Sequence, residues 1–141
     1  MSLAAILQRQ DGNVVQARPD MQVRDVVQLL AERRIGAVPV VTDNAVVGIM
    51  SERDVVTALA RDGAQVLDWS VERVMTQPAI TIASSITPLA GLSLMTQRRI
   101  RHLPVVDEGR LVGFVSIGDL VKARIDLIEQ EADALRSYIA S

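Results

Sequence analysis

Apolar and polar residues follow one order of rhythms along this chain, and that order occurs twice. Residues 13–17 (NVVQA) form a short run rich in β-formers. From Val23 the apolar positions Val23, Val26, Val27 and Leu30 recur at spacings of three and four, which places them on one face of a helix. AVPVV (37–41) then reads as a strand, TDNA (42–45) as a turn, and VVGIM (46–50) as the returning strand. A second helix follows from about Glu52 and meets Gly63. The second half runs through AITIA (79–83), a helix opened by Thr87-Pro88, HLPVV (102–106), DEGR (107–110), LVGFV (111–115) and a helix from about Ile117. Each half predicts β-α-β-β-α, a mixed α/β (α+β) fold. Pro39 and Pro104 fall inside predicted strands, which implies an edge position or a place where the backbone leaves its ladder.

The two halves are copies. At an offset of 65 residues Arg33-Arg34-Ile35 falls on Arg98-Arg99-Ile100, Pro39-Val40-Val41 on Pro104-Val105-Val106, and Val47-Gly48 on Val112-Gly113. Ser51 then falls on Ser116 and Asp54 on Asp119, without a gap. Two units facing each other explain this better than a stack, because the period is longer than that of a solenoid repeat. The chain therefore divides into a first repeat with a short N-terminal segment (1–68), a second repeat (69–126) and a helical extension (127–141).

Gly-x-x-Ser-x-x-Asp closes each returning strand, and the pattern has two readings. In the first it is a capping box: the serine accepts from the N–H three residues on, and the aspartate favours the positive end of the helix. In the second the same helix N-terminus attracts anions, while the carboxylate accepts hydrogen bonds from a ribose diol. Cations for such a ligand are present in RRIRH (98–102). Arg98 and Arg99 suit a helix C-terminus, as do Arg33 and Arg34. Arg101 and His102 have no such duty, because their counterparts are Gly36 and Ala37. Charge in one copy and small residues in the other imply two unequal sites.

Composition narrows the function. The 141 residues are 49% hydrophobic, enough for a packed core. A net charge of −2 and only three aromatic residues, Trp69, Tyr138 and Phe114, argue against nucleic acid. With no cysteine and one histidine, thiolate and multi-histidine metal sites are excluded. No apolar run approaches a membrane span and no signal peptide is evident, so a cytoplasmic protein is expected. A serine nucleophile at Ser51 or Ser116 would need His102 as its base, and no neighbouring carboxylate in sequence orients that ring. No enzyme is expected.

RRIGAVPVVTDNAVVGIMSERDVV (33–56) and RRIRHLPVVDEGRLVGFVSIGDLV (98–121), with VMTQPAITI opening the second copy, resemble the CBS-domain pair, or Bateman module. The resemblance covers roughly residues 10–125 and is most like the small stand-alone bacterial members. It implies two repeats packed sheet to sheet about a pseudo-twofold axis, leaving two clefts that bind AMP, ADP or ATP, or in some members NAD or S-adenosylmethionine. It implies no catalytic cofactor. Carried onto this chain, Asp54 and Ser51 would hold ribose in one cleft. Thr81 and Ile82 would face its base, and Arg101 and His102 its phosphates. Asp119 and Ser116 would hold ribose in the other cleft, with Gln16 at its base and Arg53 at its phosphates. Gly118 stands where the first copy has Arg53, and Gln16 departs from the usual strand opening. The reading is a regulatory module that binds a nucleotide and signals to a partner protein. The alternative is an assembly module with vestigial clefts.

The last segment adds a seam. Val121, Ile125, Ile128, Ala132, Leu135 and Ile139 are spaced 4, 3, 4, 3, 4, with charged residues to either side. This predicts a homodimer with the tail helices at its interface, the first two turns of the seam packing on their own domain.

Overall fold

The computed structural model describes residues 2–8 and 14–140. Asn13, where the first expected strand opens, and Met1 and Ser141, the ends of the expected division, lie outside the described residues. The elements run α1 (Leu3–Leu7), α2 (Val23–Arg33), β1 (Ala37–Thr42), β2 (Ala45–Ser51) and α3 (Glu52–Asp62). A 3-10 turn (Ala64–Asp68) and α4 (Val71–Val74) lead to α5 (Pro88–Arg98), β3 (His102–Asp107), β4 (Arg110–Ser116) and α6 (Ile117–Ala140). The fold is a mixed α+β arrangement of two equivalent units.

Each unit holds one antiparallel hairpin, β1–β2 or β3–β4. Both turns have two central residues at positive φ, Asp43 (51°) and Asn44 (66°) in the first and Glu108 (51°) and Gly109 (76°) in the second. That twist matches the right-handed twist of the flanking strands. The repeat extends to individual hydrogen bonds. Ala17 N–H donates to Pro39 C=O at 2.9 Å, and Ile82 N–H to Pro104 C=O at 3.0 Å. Val41 N–H donates to Ala17 C=O, and Val106 N–H to Ile82 C=O, both at 2.8 Å. Arg34 and Arg99 both end their helices in the left-handed conformation, at φ 54° and 56°.

The expected opening strands shrink to single parallel bridges, Ala17 with Val40 and Ile82 with Val105. Pro19 and the Ser84–Asp107 hydrogen bonds turn the chain away soon afterwards. Pro39 is not at an edge, since β1 has β2 on one side and Ala17 on the other. Proline is tolerated because residue 39 faces Ala17, where the parallel bridge uses the carbonyl of 39 and the N–H of 41. The ladder is irregular one step later, with register shifts at Val40/Val41 and Val105/Val106.

Each unit has its own apolar core. The first gathers Val23, Val26, Leu30, Val38, Val40, Met50 and Val55; the second gathers Ile82, Met95, Leu103, Val105, Val115 and Leu120. Each such buried side chain contributes about 1.5–3 kcal/mol over its exposed state. Both cores also borrow across the 68/69 division. Val71 and Met75 complete the first core, while Leu3, wholly buried, completes the second. The N-terminal helix is tied there by bonds from Leu3 N–H to Ile86 C=O (2.9 Å) and Ala4 N–H to Ser84 C=O (3.1 Å). The units meet through β2 and β4, and Leu111 N–H donates to Asn44 C=O at 3.1 Å.

No break separates the helical extension from the second repeat, because α6 runs on from Ile117 to Ala140. Its domain-facing side is Leu120 and Ala123, packed toward α5, and Gly91 on α5 leaves room for Leu120. Val121, Ile125 and Ile128 are instead 41–49% exposed. The first turns of the seam therefore do not pack on their own domain: of the buried positions, Leu120 lies one residue from Val121, about 100° round the helix, and Ala123 two residues from it, about 160° round.

Candidate functional site

Each Gly-x-x-Ser-x-x-Asp sits where a returning strand turns into a helix, and the turn is closed locally. The first N–H of α3, on Glu52, donates to Gly36 C=O at 3.0 Å; its counterpart, Ile117 N–H, donates to Arg101 C=O at 2.8 Å. Strand entry and helix start are thereby held together, and the serine and aspartate face the groove between the units.

The capping reading is realised in both copies. Asp54 N–H donates to Ser51 Oγ at 3.2 Å, and Ser51 N–H donates to Asp54 Oδ2 at 2.8 Å. In the second copy Asp119 N–H donates to Ser116 Oγ at 3.1 Å, and Ser116 N–H to Asp119 Oδ2 at 2.8 Å. Capping does not exhaust the carboxylates equally. Asp54 also accepts from the Ser51 hydroxyl (3.0 Å), and its Oδ1 accepts from the Thr76 hydroxyl (2.8 Å). Among the described residues Asp119 Oδ1 has no hydrogen-bond partner.

Two cavities flank the β2–β4 contact, one beside each motif. The Asp119 cavity, about 440 Å³, is walled by apolar residues including Leu7, Val14, Val15, Val112 and Phe114, with Arg34, His102 and Ser116 beside the carboxylate. The Asp54 cavity, about 310 Å³, is more charged: Glu52 and Asp54 stand with Arg53, Arg99 and Arg101. Both volumes are in the range of small-molecule sites.

Of the expected site residues, Ser51, Asp54, Arg101 and His102 come together in the Asp54 cavity, and Ser116 and Asp119 in the other. Four go elsewhere. Thr81 is exposed and lines neither cavity. Ile82 is buried in the second core, its backbone committed to β3, and the residue of that segment that stands beside Asp54 is Thr76, hydrogen-bonded to its carboxylate. Gln16 is exposed beside the Asp119 cavity, which takes Val14 and Val15 instead. Arg53 lines the Asp54 cavity, not the Asp119 one, because it is in the first turn of the helix that Asp54 opens.

Other lining residues went unassigned in the sequence. Arg34 and Arg99, read there as helix-ending cations, stand at equivalent positions in the two cavities. Their equivalence at the 65-residue offset was the available signal. Phe114 had none: it lines the Asp119 cavity and stacks on His102, with centroids 5.7 Å apart and planes 11° apart.

His102 lies between the two cavities and lines both. Gly36 faces it: a Cβ built there would lie 3.4 Å from His102 Cε1 and 3.5 Å from Nε2. The small residues of the first copy thus make room for the imidazole of the second. Burial holds the His102 pKa below the ordinary histidine value; Asp119 and Glu52 oppose that shift, and Arg101 adds to it. At neutral pH the ring is neutral, an N–H donor and stacking surface rather than a fixed cation. Among the described residues no group of three or more His, Asp or Glu side chains gathers to hold a metal, and no helix is long and apolar enough to cross a membrane.

The CBS domain family matches residues 6–61 and 71–126. A CBS-domain containing protein from Agrobacterium tumefaciens, solved as a crystal structure, is 39% identical with a TM-score of 0.83, covering 88% of this chain and 99% of that one. A solved CBS domain pair in complex with 5'-methylthioadenosine and S-adenosyl-L-methionine has a TM-score of 0.76 over 87% of this chain and 94% of its own; at 24% identity that likeness is one of fold. A mitochondrial CBS domain-containing protein of Arabidopsis thaliana is 33% identical over 134 residues, 92% of this chain and 65% of that protein. An uncharacterized protein of Thermofilum pendens is 35% identical over 132 residues, and the chain spans only 42% of its length. Two family matches, one on each structural repeat, agree with the 65-residue symmetry of strands, caps and clefts, and the chain belongs to the CBS domain family as a CBS pair.

Proposed function

We propose that this CBS pair is a non-catalytic regulatory module that binds an adenine nucleotide between its repeats and passes the resulting change of shape to a partner protein. One observation carries the reading: two helix N-termini, each with a serine and an aspartate, face cavities that each hold an arginine from the end of another helix. Such a site suits a ligand with a diol at one end and an anion at the other. The Asp54 cleft takes the phosphates, since Arg53, Arg99 and Arg101 outnumber Glu52 and Asp54 there. Ser51 and Asp54 hold the ribose, with the Thr76 hydroxyl donating to the same carboxylate from the cavity wall. The Asp119 cleft has one cation and one carboxylate and a more apolar wall, and suits an adenosyl group with less net charge. That CBS pairs can hold two adenosyl compounds in this fold supports the assignment. A ligand can shift the module only by its differential affinity for two shapes.

A thermal-shift and calorimetric screen against AMP, ADP, ATP, NAD and S-adenosylmethionine tests the reading. AMP, ADP or ATP should raise the melting temperature, with an affinity that weakens in Arg99→Ala and Arg101→Ala. No binding by any of the five at millimolar concentration would leave the assembly role with vestigial clefts.

A further inference from the structure

We infer that α1 is a ligand-responsive strap of the Asp119 cleft: Leu7 forms part of the wall on which the ligand's adenine ring rests, so that filling the cleft and docking α1 on the second repeat stabilise each other. This rests on the clefts being adenosyl sites and adds a segment to one of them. α1 is itself a repeat element, hidden by a change of offset. Strands and caps repeat at 65 residues, whereas α1 repeats as α4 at 68. Leu3 N–H donates to Ile86 C=O at 2.9 Å, and Val71 N–H donates to Met21 C=O at 2.8 Å. Ala4 N–H donates to Ser84 C=O, and Glu72 N–H to Pro19 C=O, both at 3.1 Å. Leu3 and Val71 are wholly buried, each in the core its helix completes. Met75 fills the space over Gly48, and Leu7 the space over Gly113.

The two helices differ in how they are held and in what they face. The chain enters α4 from Trp69, whose carbonyl accepts from Val23 N–H, and leaves it through Thr76. Thr76 exchanges two backbone hydrogen bonds with Ile49 (3.0 and 2.9 Å), and its hydroxyl donates to Asp54. α4 is thus fixed at both ends. Among the described residues no hydrogen bond ties Leu7 or Gln8 to the second repeat, and Asp119 Oδ1 has no partner to match Thr76. α1 is held by two hydrogen bonds and the burial of Leu3, so it opens more readily than α4. Yet Leu7 lines the Asp119 cavity, with Val14, Val15, Val112 and Phe114, whereas Met75 does not line the Asp54 cavity. A ring lying against Leu7 gains that contact only while α1 is docked, so it binds the docked form more tightly and holds α1 down. The contact is worth about tenfold in affinity, about half of a leucine's full burial. Reciprocity fixes the other side: saturating ligand must favour docking of α1 by the same factor, about tenfold.

Amide hydrogen exchange by NMR on the full chain, with adenosine as the probe, tests the strap. The Leu3 and Ala4 amides report it directly, because their bonds to Ile86 and Ser84 break when α1 leaves the second repeat. Saturating adenosine should slow both amides about tenfold in wild type and leave them unchanged in Asp119→Asn. Leu7→Ala should weaken adenosine about tenfold in calorimetry and abolish the slowing. Leu7→Met, which places the side chain of α4 at the same point, should restore both. Adenosine that binds wild type yet leaves Leu3 and Ala4 exchange unchanged would overturn the strap while the clefts stand as nucleotide sites. Equal affinity of wild type and Leu7→Ala would do the same, as would a wild type that binds AMP but not adenosine at millimolar concentration. Binding of neither compound would overturn the nucleotide reading and the strap together.

Discussion

Asp54 caps a helix in the structure and is proposed to hold a ribose, and Asp54→Asn separates the two duties. An asparagine side chain keeps one carbonyl oxygen to accept the Ser51 N–H that now reaches Asp54 Oδ2 at 2.8 Å. The Thr76 hydroxyl can reverse and accept from the new amide, so that contact survives as well. What is lost to the fold is one negative charge at a helix N-terminus, worth about 0.3–1 kcal/mol. For a domain of this size that is a fall in Tm of at most about 4 °C. The ligand loses more, because a diol needs acceptors and the variant presents a donor. A hydrogen bond to a charged group contributes about 1.5–3 kcal/mol, so AMP affinity should fall roughly tenfold to a hundredfold. Titration calorimetry with AMP and a ligand-free melting curve measure the two effects on one preparation. Asp119→Asn, run in parallel, reports on the other cleft. If both variants keep AMP affinity within twofold of wild type while the melting temperature drops, the carboxylates are caps and nothing more.

Other expected outcomes test the surroundings of the clefts. The unfolded chain binds a proton on His102 at about pH 6.5, whereas the folded chain resists doing so until lower pH. His102 thus lends stability that is complete above about pH 6.5 and is lost as the pH falls through the lowered pKa; the difference in melting temperature between wild type and His102→Gln should shrink on acidification, and a pH-independent difference would refute the sign. Protonation in the same window should tighten phosphate binding in wild type and not in His102→Gln. Gly48→Ala places a Cβ 2.8 Å from the Thr76 carbonyl oxygen, which is backbone and itself accepts from Ile49 N–H. It should cost about 1–3 kcal/mol. In Gly113→Ala the nearest atoms to the new Cβ all belong to the Leu7 side chain, whose end can move aside, so it should cost less, a ranking that denaturant melts would reverse if strand crowding were not the cause.

What the sequence determined by itself is whatever depends on residues a few positions apart or on the repeat as a whole. The helical spacing from Val23 to Leu30, the TDNA and DEGR turns, the Thr87-Pro88 helix start and the Ser-x-x-Asp caps are all local: each is decided by atoms within about four residues of chain. The doubling at 65 residues carried the fold class, because equal sequences fold into equal units that must then face each other. The seam spacing on α6 was legible for the same reason, being a periodicity of one helix. Tertiary structure decided everything that depends on which segments cross from one unit to the other. It put Leu3 into the second core and Met75 into the first, which brought Thr76 to Asp54 and left Thr81 and Ile82 out of the clefts. It sent Arg53 to the cavity of its own helix and turned Arg34 and Arg99 from helix-ending cations into cavity walls. It also set Gly36 against His102, so that a missing side chain in one copy and an added ring in the other became a single act of packing. Contacts such as these join residues tens of positions apart. They follow from how two finished units dock, which no local pattern of residues encodes.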